Sequence, residues 1–392
     1  MNFRKVVGIS MASALIGVAM PMMAHAEGTI KIGMIAPFTG VMADYGRRML
    51  NGINAYMKVH GDTVAGKKID VIVRDTTGPV PEISKRLAQE LLTRDKVDFL
   101  VGFGFTPEAL AAAPLATAAK KPMIIMNAAA SSITTKSPYI VRVSFTLQQL
   151  AAPMGEWAAK HGFKKVYSLV SDYQPGLDAK AGFEKTFTAD GGTIVGSTRV
   201  PLNSPDLVPF VHRIQDAKPD AVFVFVPGGD QITGFMKAFR ERGLSKAGVK
   251  VLLVSELPNE VLQALGPSAT DIYTSTQYLE GRDSPVNDTF VKAYEQVSGG
   301  KDLPAPYSVA GYDGMAAIYS VANTLHGDVE DGDKVVAALK KLKLQSPRGP
   351  ISIDPATRDI VQRIYIGKIV RANGVNKVVE VAHFNDVKDP GK

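Results

Sequence analysis

The chain has 392 residues, of which 45% are hydrophobic and 21% charged, a formal net charge of +7 and no cysteine. This is ordinary globular composition with length for two domains, and the missing thiols exclude disulfide scaffolds, cysteine nucleophiles and cysteine-based metal sites. The basic residues are scattered, apart from short pairs such as Lys67-Lys68 and Lys164-Lys165. Nucleic-acid binders carry a clustered stripe instead, so no nucleic-acid partner is expected.

At the N-terminus, Arg4-Lys5, an apolar run from Val6 to Met20 and Ala24-His25-Ala26 have the layout of a secretory signal peptide, with cleavage expected after Ala26. The run is short and broken by Ser10 and Ser13, whereas a membrane span needs about 20 apolar residues. Without a lipid-carrying cysteine the exported chain is expected to be untethered. The periplasm is the expected compartment, with secretion to the medium as the alternative.

The next stretch alternates apolar strands with helical periodicities: strand 29–36, helix 45–58, strand 69–74, helix 81–94, strand 99–101, helix 107–119 and strand 122–126. From about residue 147 the alternation begins again, with strands at 166–170, 193–200, 221–226, 249–254 and 272–277 between helices. Such a pattern gives βαβ units and parallel sheets, whose strands read as continuous apolar runs. Helices at 286–297, 308–325 and 334–342 follow, then strand-like runs at 349–353 and 363–370. The expected fold is α/β, with two Rossmann-like lobes joined by three crossovers near 144–148, 278–282 and 345–350. The expected lobes are 27–146 with 280–347, and 147–279 with 348–392.

The stretch VDFLVGFGFTPEALAAA, Val97–Ala113, runs from a strand through a glycine-spaced turn into a helix. Thr106 is placed as an N-cap, followed by Pro107 and Glu108, which suit a first helical turn. Free amides there, joined by the Thr106 hydroxyl, would form a site for a carboxylate, flanked by Phe103 and Phe105. A dinucleotide fingerprint fails, because the third glycine would fall at Pro107. No metalloprotease, nucleophile-elbow or P-loop motif occurs, and the six histidines lack metal-ligand spacing. No enzyme activity, metal or cofactor is therefore expected.

Four segments, taken in order, carry a family pattern: IGMIAPFTGVMADYG at 32–46, VGFGFTP at 101–107, PMIIMNAAAS at 122–131 and PYSVAGYDGM at 306–315. With them the chain resembles the periplasmic solute-binding proteins of ABC importers, of the branched-chain amino acid (Leu/Ile/Val-binding) type. The resemblance implies a type I periplasmic binding fold that closes around its ligand, no enzyme activity, and an inner-membrane ABC permease as partner to a monomer. It places Thr106 and the loop Ala128, Ala129, Ala130 and Ser131 at the ligand carboxylate, although the family usually has Thr in that loop. Tyr45 and Tyr307 fall at aromatic walls. In the second lobe Tyr173 stands near a lid tyrosine, shifted from the family position by Pro175. Gly229 and Asp230 match a closing loop, and Glu256 falls near the carboxylate that holds an amino acid's ammonium.

Ordinary readings stand beside these: interlobe packing for the tyrosines, a plain cap for Thr106, a solvated charge for Glu256. The aromatic density of Tyr45, Phe103, Phe105, Tyr173 and Tyr307 favours an aromatic acid of benzoate or cinnamate type over a branched-chain amino acid. The segment 346–362 also looks like family members associated with benzoate-type uptake. Glu256 argues the other way, since an acid without an amine would leave it uncompensated. A ligand-sensing receptor would use the same fold and remains the reading from another class.

Overall fold

The computed structural model describes residues 1, 28–202, 206–227, 230–254, 257 and 259–392, with the backbone alone at 230, 260, 261 and 271. The signal-peptide segment, Gly229, Glu256 and the Asp230 side chain lie outside the described residues. Among the described residues no helix is long and apolar enough to cross a membrane.

The first unit runs β1 (Thr29–Ala36), α1 (Ala43–His60), β2 (Thr63–Val64), β3 (Lys67–Asp75), α2 (Pro81–Glu90), β4 (Phe99–Gly102), α3 (Thr106–Ala119), β5 (Met123–Ile125) and β6 (Ile140–Arg142). Its sheet has the order β2-β3-β1-β4-β5-β6, parallel except for the short β2. Both faces are covered, and the strand period of two divides the side chains between them. Ile30, Ile32 and Met34 of β1 enter one core with Phe99, Val101 and Ile124. Ile35 enters the other with Leu100, Met123 and Ile125.

The second unit runs α4 (Leu147–Lys160), β7 (Lys165–Ser171), α5 (Gln174–Ala189), β8 (Thr193–Val200), α6 (Val208–Ala217), β9 (Ala221–Phe225), α7 (Asp230–Glu241), β10 (Lys250–Leu253), α8 (Asn259–Ala264) and β11 (Ile272–Thr276). Val222 and Val224 of β9 face one core, while Ala221, Phe223 and Phe225 face the other. The chain then forms α9 (Pro285–Ser298), α10 (Pro306–Thr324), α11 (Gly332–Leu339), β12 (Lys343–Ser346), β13 (Gly349–Ile353), β14 (Ile360–Ala372) and β15 (Val375–Val387). Strands β12 to β15 join the second sheet antiparallel, extending it to nine strands. The two parallel-sheet units are as expected, and the antiparallel extension corrects the picture for the second one. Strand β15 escapes the sequence reading because its apolar residues are interleaved with Asn, Lys, Glu, His and Asp, and most of it is exposed.

We propose that the lobes divide at the expected boundaries, with the β12–β13 hairpin straddling one of them. Its Leu344, Ile351 and Ile353 pack on the first core, while β13 pairs with β14 of the second sheet. The crossings are tied together by one buried cation. Arg348 contacts Asp313 Oδ2 through Nε at 2.9 Å and Nη2 at 2.7 Å. Nη1 donates to Ser144 O at 2.9 Å and Gln362 Oε1 at 2.8 Å, and Nη2 also donates to Val143 O. Arg282 Nη1 reaches Pro347 O at 3.5 Å, linking the middle crossing to the same knot.

Removing one member of such a buried pair strands the other charge, which costs about 3–5 kcal/mol. Arg348→Ala is therefore expected to lower unfolding stability by that amount in urea titration. The double variant Arg348→Met/Asp313→Leu, which leaves no buried charge, should recover much of the loss. Equal stability of the two variants would show that the charge pairing is not what the knot depends on.

Candidate ligand-binding cleft

A cavity of about 580 Å³, part of it open to solvent, lies between the two units. Its walls come from the segments that follow β4, β5, β7, β9 and β10, from the end of β11, and from the first turns of α1, α4 and α10. Ligands of open α/β sheets bind in this place, beyond the carboxyl ends of the strands. Six aromatic rings line it: Tyr45, Phe105, Phe145, Tyr173, Phe225 and Tyr307. Among the described lining residues there is no Lys, Arg, Asp or Glu.

Helix packing places the first wall. A Cβ on Gly52 of α1 would stand 1.9 Å from Ser308 O, and one on Gly311 of α10 would stand 2.1 Å from Met49 O. Only glycine permits so close a crossing. The consequence is that Tyr45, near the start of α1, sits with its ring centroid 4.5 Å from that of Tyr307 and 5.1 Å from Phe105. Tyr173 and Phe225 form the facing wall, stacked at 6.2 Å with 22° between planes. Burial, with the Tyr45 phenol as a lesser cause, pushes the Tyr173 hydroxyl far above its ordinary range and keeps it neutral.

The turn after β4 corrects two expectations. Gly102 and Phe103 both have positive φ, +100° and +62°, a conformation costly for a bulky residue. The turn sends Phe103 away from the cleft, fully buried in the core with Leu100 and Ala109, and leaves Phe105 on the cleft side. The N-cap of α3 is Phe105, so Thr106 is the first helical residue. Nor is the Phe105 amide free: Glu108 Oε2 accepts its N–H at 2.9 Å, and Thr76 Oγ1 donates to Glu108 Oε1 at 2.5 Å. The Glu108 carboxyl thereby caps the helix start from within the chain.

The loop after β5 is also committed internally for the most part. The Ala128 amide donates to Phe103 O at 2.9 Å, and the Ala130 amide to Thr106 Oγ1 at 3.3 Å. The Ser131 amide donates to Asp178 Oδ2 at 2.9 Å, and its hydroxyl to Asp389 Oδ1 at 2.9 Å. Of these four loop residues only Ala129 lines the cleft. Thr106 lines it as well, and its hydroxyl, accepting from Ala130, retains a hydrogen to donate. The Ser131–Asp178 bond spans the two units. Sequence reasoning missed Asn127, Phe145, Phe225, Ser275 and Gln277. Asn127 and Phe225 lie in or beside recognised strand ends, and that adjacency was the available signal.

Two groups of findings connect this geometry to known proteins. The family model described as periplasmic binding protein matches residues 29–374. A solute-binding protein of an ABC transporter from Rhodopseudomonas palustris BisB5, solved with 3,4-dihydroxybenzoic acid, is 51% identical with a TM-score of 0.88, covering 93% of this chain and 99% of that one. Another from R. palustris, solved with 4-hydroxybenzoate, is 41% identical with the same TM-score and coverage. A Leu/Ile/Val-binding protein homolog from Brucella melitensis is 42% identical over 365 residues, 92% of this chain and 93% of the relative.

Burial pushes the Glu108 carboxyl up from its ordinary 4.5 to about 7. Hydrogen bonds from Thr76, Phe105 and Gly104 oppose the shift, and Asp75 adds to it. Between those values the folded protein holds a proton that the unfolded chain has released. Stability should therefore fall as pH rises from about 4.5 to about 7, by on the order of 3 kcal/mol. Urea unfolding at pH 5 and pH 8 should show that loss in the wild type, and a loss smaller by about that amount in Glu108→Gln. An identical pH dependence in both would remove Glu108 as its source.

Proposed function

We propose that this chain, which belongs to the periplasmic binding protein family, is the solute-binding component of an ABC importer and takes an aromatic carboxylate of the benzoate type as its ligand. The observation that carries this reading is the wall of six aromatic rings with no charged side chain among the described lining residues. A flat ring packs or stacks on such walls, adding about 0.5–1.5 kcal/mol per aromatic pair beyond area burial. An amino acid would bring an ammonium to a lining that holds only neutral acceptors among its described residues, and a buried cation without a partner is costly. The two R. palustris relatives solved with hydroxylated benzoates support the same class.

In this reading the ligand carboxylate takes the remaining hydrogen of the Thr106 hydroxyl, and its ring enters between the Tyr45–Tyr307 wall and the Tyr173–Phe225 wall. Residues of both lobes then touch one ligand. Binding stabilises the closed form because only that form offers both walls at once. The permease would receive the closed shape, and the periplasm follows from the family as the place where this happens. The chain binds and releases, with no chemistry on the ligand. The Leu/Ile/Val-binding relative is the observation that favours branched-chain amino acids as a second reading.

Thermal-shift and calorimetric titrations with benzoate, 4-hydroxybenzoate, cinnamate, leucine, isoleucine and valine separate the two readings. Saturable stabilisation by the aromatic acids is expected at concentrations where the aliphatic amino acids have no effect, and the reverse order would replace the first reading with the second. In the same assay Thr106→Ala should weaken the aromatic acid by about 1–3 kcal/mol. An unchanged dissociation constant would take Thr106 out of the carboxylate site.

A further inference from the structure

One side chain in the cleft wall has an unmet hydrogen-bonding need. Asn127 follows β5, lines the cavity, and is 7% exposed. Its Nδ2 donates to Gly104 O at 2.7 Å. A carbonyl oxygen can only accept, so this bond fixes which way the amide is turned. The Oδ1 atom is left buried with no hydrogen-bond partner, and no other described residue of this cavity has a buried side-chain polar atom in that condition.

The chemistry of the missing partner is narrow. An amide oxygen only accepts, so it needs a donor. A ligand carboxylate has none to give and would be repelled. The faces of an aromatic ring and its C–H edges leave the oxygen unsatisfied. A hydroxyl supplies one hydrogen at low desolvation cost, whereas an ammonium arrives with two further hydrogens and a charge for a lining that holds no acid among its described residues. A site built to pair with a ligand hydroxyl discriminates sharply against the analogue lacking it, because the buried protein group is then stranded.

Resting on the aromatic-carboxylate reading above, we propose that Asn127 is the residue that selects a hydroxylated ring, its Oδ1 accepting the hydrogen of a phenolic hydroxyl on the bound acid. The ligand class is thereby narrowed from benzoate-type acids in general to hydroxybenzoates. Asn127 reads the substituent, while Thr106 holds the carboxylate.

The test is calorimetric titration of the wild type and Asn127→Leu with benzoate and with 3- and 4-hydroxybenzoate, alongside the 3- and 4-methyl isosteres. The wild type should bind at least one hydroxy isomer about tenfold or more tighter than its methyl isostere. In Asn127→Leu that ratio should fall to within about twofold, with the methyl compound bound at least as well as by the wild type. A wild type without hydroxyl preference, or a preference that survives Asn127→Leu, overturns the assignment while leaving benzoate-type binding standing. Failure of all these acids to bind overturns the broader reading along with it. Should Asn127→Leu not fold, a crystal structure of the wild type with the preferred hydroxy acid decides. The ring hydroxyl within about 3.2 Å of Asn127 Oδ1 supports the assignment, and a hydroxyl directed to another acceptor overturns it.

Discussion

The buried guanidinium of Arg348 is the constraint on which the arrangement of the two units depends. It belongs to the last crossing, it bonds carbonyls of the first, and its counter-charge Asp313 lies on α10, the helix whose first turn carries Tyr307 into the cleft. Burial raises the Asp313 carboxyl above its ordinary value, with Arg348 and the Ser346 hydrogen bond opposing the shift. The cation is thus paired, and it also satisfies backbone acceptors where the chain leaves one sheet for the other. Gln362 extends the knot, donating to Ser144 O at 2.9 Å and Gln149 Oε1 at 2.8 Å. Planar, forked donors suit this task in a way that an ammonium does not. A hydrophobic substitute could fill the volume, but it could not hold separate carbonyls in register.

From that knot outward, the cleft is assembled by backbone geometry more than by side-chain identity. The α1–α10 crossing brings two tyrosines together, and the left-handed turn at Gly102-Phe103 decides which phenylalanine becomes wall and which becomes core. Glu108 then occupies the helix start that would otherwise attract a ligand anion. In the proposed reading, the carboxylate of a bound acid is met by neutral donors of the described lining, such as the Thr106 hydroxyl. This suits a carrier protein: neutral donors orient an anion without the long-range attraction that a lysine or arginine would add.

Much of this was legible in the sequence because it rests on periodicity. Strands covered on both faces read as apolar runs, and the glycine-spaced turn after Phe99–Val101 marked one wall of the cleft. Phe103 and Phe105 could not be told apart, since strand alternation would put both on the same face and a positive φ at a phenylalanine leaves no trace in composition. The Ala128–Ser131 loop was legible as a position. That Ser131 is already committed could not be read there, because its protein partners, Asp178 on the amide and Asp389 on the hydroxyl, come from sites 47 and 258 residues away. Arg348 and Asp313 looked like two more charges among many, because pairing over such a separation is a property of the fold and not of any motif.

That same loop bears on how closure is balanced. Thr134 Oγ1 donates to Asp359 Oδ2 at 3.0 Å and accepts from Lys392 Nζ at 2.6 Å, and Asp389 accepts from both Ser131 and Thr146. Together with Asp178 on the Ser131 amide, these bonds join the first unit to the far end of the chain and to α5. Any of these contacts that an open form lacks lowers the free energy of the closed form. Such contacts reduce the differential affinity that a ligand must supply to shift the population. A small ligand with few atoms to offer would then have less to supply on closing, the more so the more of these bonds form only as the two units come together.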